Sequence, residues 1–304
     1  MPTFGENTQW KRINSRIEAL SDEDMGSFKR NKKVQVFPTW SPEKFGIYYL
    51  KTMLMVAADH LDEYDFALLD KVTNRNFGNP ITITVKGRDL CSDYLQSLYE
   101  AKFIDNIGQR VERMIEIGAG YGRTCHTMLC LNPNIAEYLI IDLAPCLSLA
   151  RKYLKHVLSS EQFTKVRFIL NTECKDYLDN NKDIETLAIN SNGLGEMDQE
   201  VSRSYLNLIA KNARYFYSCN SVAKYDPTCV EERDFDPAIA KDALNSGLLT
   251  DRINIFDDGI VETYIPPYLE VMKPAASWVP IRHKRGEIQV YTAHVLYASS
   301  ADAR

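Results

Sequence analysis

Glu116, Gly118, Gly120 and Gly122 stand at two-residue intervals, ExGxGxG, at the end of an apolar run that holds Met114, Ile115 and Ile117. A run of this length suits a buried strand, and Thr124, Met128 and Leu129 then begin a helical spacing. The local reading is strand, tight turn, helix. A backbone that turns sharply while lying against a ligand needs positive φ at some positions and no Cβ at others, and glycine supplies both. The following helix directs unpaired N–H groups and a partial positive charge toward whatever occupies the turn. Dinucleotide-binding folds use the same device with GxGxxG, a different spacing. A purely structural turn in another α/β protein has the same local form.

About twenty residues on, Tyr138-Leu139-Ile140-Ile141-Asp142 is a second apolar run, closed by an acid at its carboxyl end. A carboxylate at a strand tip can accept two hydrogen bonds from a ribose diol. Asp142 is therefore a candidate for holding ribose hydroxyls. It could also start a turn or cap the helix that carries Leu147, Leu149, Ala150 and Tyr153.

The elements that would position these residues alternate. Strands are predicted at 113–117, 138–141, 166–170, 186–190 and 215–219, with a helix at 201–213, and this pattern implies a mostly parallel sheet with right-handed crossovers. Trp278 to Arg282 and Ile288 to Tyr297, separated by Lys284-Arg285-Gly286, read as two late strands. Upstream, Phe45, Tyr48, Leu50, Met53, Leu54, Val56, Leu61, Phe66 and Leu69 recur at helical intervals. Phe77-Gly78-Asn79-Pro80 is a turn, Ile81 to Val85 a short strand, and Ser92 would cap a helix with Tyr94, Leu95, Leu98 and Tyr99. The expected organisation is an N-terminal helical cap region at 1–108 and an α/β domain at 109–304, with an insert at about 221–277.

The chain has 304 residues, enough for one large α/β domain with an appendage. A formal net charge of −5 argues against a general nucleic-acid binder. No apolar stretch approaches the roughly 18 residues of a membrane span, and the amino terminus lacks a signal-peptide pattern, so a cytoplasmic protein without membrane association is expected. Seven cysteines without a CxxC pair suit reduced packing residues better than a disulfide framework or a zinc site. The basic run Lys29 to Lys33 is expected to be solvated.

The ExGxGxG loop resembles motif I of the class I S-adenosylmethionine (SAM) methyltransferases. Phe77 to Pro80, Asp93 to Tyr99, Asn190-Ser191-Asn192-Gly193-Leu194-Gly195-Glu196-Met197 and Tyr215 to Asn220 together resemble the sugar O-methyltransferases of natural-product and polysaccharide gene clusters, over about residues 75–297. The Gly193 to Gly195 stretch is more glycine-rich than that family's pattern. The resemblance implies a Rossmann-like α/β fold, a seven-stranded mostly parallel sheet with an antiparallel end strand. It also implies SAM as cofactor, held by Glu116, Gly118, Ala119, Gly120, Gly122, Asp142, Leu143 and Asn190. Glu116 would support the methionine end.

Methyl transfer to oxygen is an in-line displacement, so the protein must align two ligands and remove a proton. Ligands of open α/β sheets lie beyond the carboxyl ends of the strands. That puts Asn192, Glu196 and Asp198 near the transferred methyl. Glu196 is the first candidate base, the alternative being that it and Asp198 stabilise the start of the next helix. His283 is the competing base, or a surface residue, and His126 is expected to pack. Asn192 and Asn220 could orient an acceptor hydroxyl. Tyr264 and Tyr268 of the insert could stack on a sugar ring, or form the insert's own core. The acids Glu231, Glu232, Asp234 and Asp236 read as a solvated run, so no metal site is expected. The expected ligand is a small molecule, and the N-terminal region could form a homo-oligomer. An amine or non-sugar hydroxyl acceptor and a non-catalytic SAM-binding subunit are the alternatives.

Overall fold

The computed structural model describes residues 4–30, 44–180, 184–230, 237–289 and 291–299. Seven strands form the main sheet: β1 (Arg113–Ile117), β2 (Glu137–Asp142), β3 (Val166–Leu170), β4 (Thr186–Ser191), β5 (Tyr215–Ser221), β6 (Trp278–Arg285) and β7 (Thr292–Ser299). Their order is β6-β7-β5-β4-β1-β2-β3. The first five strands are mutually parallel; β1, β2, β4 and β5 are buried on both faces, as parallel strands under helices are, while β3 at the sheet edge buries only Val166. The last strand of the chain, β7, is antiparallel to both β5 and β6.

The turn expected at Lys284 to Gly286 lies slightly later. Strand β6 runs through Arg285, and β7 starts at Thr292. In the intervening loop Glu287 reaches back to His294 on β7, Oε2 to Nε2 3.1 Å. His294 is fully buried, which would hold it neutral, but the neighbouring Cys219 and Glu287 raise its pKa to about 10. The imidazolium–carboxylate pair thus holds the loop against the sheet end.

Helices cover both sheet faces. On one side lie α1 (Thr8–Glu18), α4 (Ser92–Ile104), α5 (Arg123–Leu131) and α6 (Ala144–Val157); on the other, α7 (Gln199–Asn212) and α8 (Asp258–Val271). Each face has its own apolar core, and α2 (Lys44–Ala58) and α3 (Glu63–Lys71) join one edge of α4 in a third, smaller one. Ser92 begins α4 without capping it, because Cys91 is the N-cap residue and no side-chain bond is made there. The hairpin that pairs Ile83–Val85 with Arg88–Leu90 turns through Lys86 and Gly87, both at positive φ.

Lys29 departs from the solvated run expected of its neighbours. It is 3% exposed, its Nζ 3.3 Å from the Tyr153 hydroxyl and within 5.2 Å of the ring centres of Tyr94, Tyr121 and Tyr153. Cation–π attraction offsets part of the cost of burying the ammonium, while desolvation lowers its pKa. The residue pins the segment after α1 to α4 and α6. Residues 31–33 of the same run lie outside the described residues.

Candidate active site

Strand β1 pairs with β2 on one side and β4 on the other, so successive crossovers leave it in opposite directions. Such a reversal opens a crevice beyond the carboxyl ends of the strands. The turn after β1 fills one wall. Gly118, Gly120 and Gly122 have φ of 72°, 58° and 92°, and the Gly118 amide donates to the Ile141 carbonyl at 3.0 Å. A Cβ on Gly118 would lie 3.6 Å from the Gly193 Cα and 3.4 Å from Met197 Cε. The turns after β1 and β4 therefore meet glycine to glycine across the crevice. At Gly193 the constraint is steric, since a Cβ there would sit 2.7 Å from the Asn190 amide nitrogen.

Asn190 is the clamp between these turns. Its Nδ2 donates to the Ile117 carbonyl at 2.8 Å, and its Oδ1 accepts from the Leu194 amide at 3.1 Å and from Asn220 Nδ2 at 2.9 Å. Asp142, at the tip of β2, accepts from the Gly120 amide at 3.0 Å and the Leu143 amide at 2.7 Å. Burial raises its pKa to about 6, against the pull of those two amides. The Cys146 thiol and the Ala119 amide also hydrogen-bond this carboxylate. Glu116 accepts the Tyr138 hydroxyl at 2.8 Å, and burial pushes it up to about 8 despite that bond and the charge of Arg123.

Two cavities share this crevice, with Trp10, Gly118 and Gly193 common to both walls. The larger, about 260 Å³, is bounded by Glu116, Ala119, Gly120, Asn192 and Glu196, and also by Ser92, Asp93, Gln96, Tyr121, Arg123, Thr124, Ser191, Ile288 and Gln289. The smaller, about 50 Å³, is bounded by Asp142, Leu143, Asn171, Met197, Val201 and Tyr205, with Phe4 to Asn7 along its remaining side.

Glu196 lies on the larger cavity's wall, and burial raises its pKa to about 7 against the opposing charge of Lys224. Lys224 itself donates to the Gly195 carbonyl at 2.7 Å and to Ser246 at 3.2 Å. The N-cap of α7 is Asp198, so Glu196 stands outside that helix. Asp198 makes no side-chain capping bond there, and Glu196 precedes it by two residues.

Six of the predicted site residues, Gly122, Asn190, Asn220, Tyr264, Tyr268 and His283, are not on either cavity wall. Asn220 is fully buried, its Oδ1 accepting from the Gly195 amide at 3.0 Å and its Nδ2 directed at Asn190 and Ser218. It shapes the turn after β4 from beneath. Tyr268 is fully buried, its hydroxyl 2.9 Å from Ser218 Oγ and accepting from the Asn220 amide at 3.1 Å. Tyr264 packs at the edge of the core beneath α8. His283 is exposed on β6, the edge strand, opposite Val295. His126 is buried against Tyr94, Nδ1 to hydroxyl 2.6 Å, with burial taking its pKa down to about 3. The acids Glu231, Glu232, Asp234 and Asp236 lie outside the described residues.

Sequence reasoning missed a buried polar layer beneath the larger cavity. Glu100, fully buried, accepts from Arg123 Nη2 at 2.8 Å, Ser191 Oγ at 2.7 Å and Gln96 Nε2 at 3.2 Å. Asp93 accepts from the Tyr121 hydroxyl at 2.7 Å. The available signal was the stripe Asp93, Gln96, Glu100, at i, i+3 and i+7 of the helix that also carries Tyr94, Leu95, Leu98 and Phe103. Trp10 carried no such signal, because its place depends on a segment more than a hundred residues away in sequence.

The sheet order, the single reversed strand, the glycine turn after β1 and the acid ending β2 define a Rossmann-like fold of the class I methyltransferase type. No protein-family model and no curated protein matches the chain. Among solved structures it is similar to an O-methyltransferase family protein from Burkholderia thailandensis, at 15% identity and TM-score 0.44 over 69% of this chain and 59% of that one. It is also similar to the pyocyanin biosynthetic protein PhzM, at 13% identity and TM-score 0.42 over 68% of this chain and 55% of that one. A third is the mitomycin 7-O-methyltransferase MmcR, at 12% identity and TM-score 0.43 over 94% of this chain and 75% of that one. The chain spans less than two thirds of the length of the first two.

Proposed function

We propose that this chain is a SAM-dependent O-methyltransferase that acts on a hydroxyl of a sugar or glycosylated small molecule, with Glu196 as general base. The observation that carries the reading is Glu196 itself, a carboxyl on the wall of a 260 Å³ cavity with a pKa near 7. A positioned base works best when its pKa lies near the working pH.

The residues fit the cofactor. Gly118 and Gly193 let the two turns approach without side chains of their own, and Asp142 places a carboxylate for a ribose diol at the crevice floor. Glu116 and the Arg123 guanidinium face the larger cavity and suit the ammonium and carboxylate of a methionine moiety. When bound, SAM would supply a methyl group on a sulfonium. Glu196 would bind the acceptor hydroxyl and take its proton, while Asn192 and Trp10 bound the space in which the acceptor lies. Support for a polyhydroxylated acceptor comes from the hydroxyl, amide and carboxyl groups of Ser92, Asp93, Gln96, Asn192 and Gln289, with one indole for a C–H face.

The test is incubation with SAM and a panel of sugars, glycosides, amines and aglycone hydroxyls. S-adenosylhomocysteine formation and a product heavier by one methylene should appear only with hydroxylated sugars. Turnover restricted to amines would replace the acceptor class, and no turnover with any acceptor would favour a binding subunit.

A further inference from the structure

The amino-terminal segment lies where a nucleoside would have to go. Phe4 to Asn7 form one side of the cavity that contains Asp142, Leu143 and Asn171, and what remains there is about 50 Å³. Ligand pockets usually begin near about 300 Å³, so a purine and ribose cannot enter beside the segment as it stands.

The segment is held by specific contacts. The Phe4 ring packs on Tyr205 with centroids 4.8 Å apart, and the Asn171 amide donates to the Phe4 carbonyl. Asn14 of α1 donates to Glu6. Asn7 caps α1, accepting from the Trp10 amide at 3.0 Å, while its Nδ2 donates to the Glu196 carbonyl at 2.7 Å. An aromatic ring, a carbonyl and an amide thus fill a site whose natural ligand, on the reading above, is also a flat ring with polar edges.

We infer that residues 4–7 are an intramolecular plug, which competes with the nucleoside half of the cofactor and must withdraw for it to bind. The inference rests on the cofactor reading of this crevice. Because Asn7 grips the Glu196 carbonyl, withdrawal also releases the turn that carries the proposed base. Cofactor binding and the freedom of Glu196 are then coupled through one side chain. The apparent affinity is lowered by the fraction of molecules with the plug in place.

Calorimetric titration of the full chain with S-adenosylhomocysteine tests this, using Phe4→Ala and Asn7→Asp. The latter keeps a capping acceptor for α1 but loses the donor to Glu196. Each variant should bind about three- to tenfold more tightly than the unmodified chain, the range set by an aromatic pair or one hydrogen bond. Hydrogen exchange on the unmodified chain adds a readout that needs no variant, as amides of residues 4–10 should lose protection when ligand saturates. Weaker binding by both variants, or increased protection, would mean the segment closes over the ligand and would overturn the plug. Unchanged affinity would overturn it as well, leaving the cofactor reading intact. Absence of binding by all three proteins would overturn both.

Discussion

Replacing Glu196 by glutamine should make the protein more stable and less active, and the size of the first effect follows from burial. Desolvation raises this carboxyl from 4.5 to about 7. At about 1.4 kcal/mol per pH unit, that gap corresponds to at most about 3 kcal/mol, because the side chain is partly exposed and water screens it. The folded chain holds this proton to a higher pH than the unfolded chain does. Its stability contribution is therefore most favourable below pH 4.5, declines as pH rises through the interval, and is fully unfavourable above about pH 7. Glutamine has no proton to lose. Without added cofactor, Glu196→Gln should match the parent near pH 4.5 and exceed it by up to about 3 kcal/mol at pH 8, as read by urea denaturation. Groups that do not feel the Glu196 charge are common to both proteins and cancel in the difference; Lys224, whose pKa that charge raises, does not, and its contribution falls at higher pH. Turnover should fall by about 10²–10⁴-fold, the usual contribution of a positioned base, and the parent rate should rise with pH through the carboxyl's titration. A variant with the parent's pH dependence of stability, or with near-normal turnover, would refute the assignment.

Two further changes probe the cradle. Asp142→Ala should weaken S-adenosylhomocysteine binding by about 1.5–3 kcal/mol, as for a hydrogen bond to a charged group, and lower stability too, since the Gly120 and Leu143 amides lose their acceptor. Calorimetry and denaturation read these separately, and unchanged affinity would remove Asp142 from the site. Gly193→Ala should push a methyl into the Asn190 amide, 2.7 Å away, costing about 1–3 kcal/mol of stability by overpacking and weakening ligand binding. Normal binding by a stable Gly193→Ala protein would show that the close approach of the two turns is not needed.

The sequence alone determined the α/β alternation, the glycine turn and Asp142 at the second strand's tip. Parallel strands buried on both faces must be written as continuous apolar runs, and a turn lying against a ligand must be written in glycine, so both are local facts. The five parallel strands accordingly lie within one or two residues of their predicted limits. Which polar side chains reach the cavity was decided only in three dimensions. Asn220 sits at the end of a strand beside the crevice, yet buried partners on Asn190, Ser218 and Gly195 absorb its hydrogen bonds. Tyr268 lies in an aromatic-rich stretch that the sequence suggested as an insert, but its place in α8 directs the hydroxyl inward to Ser218. His283 stands on an edge strand that faces solvent, a consequence of β7 entering between β5 and β6. Phe4, Asn7 and Trp10 join the site through contacts that span most of the chain, with Asn7 and Glu196 separated by 189 residues. No periodicity or motif encodes such a pairing, because it depends on where α1 docks on α6 and not on the residues beside it in sequence.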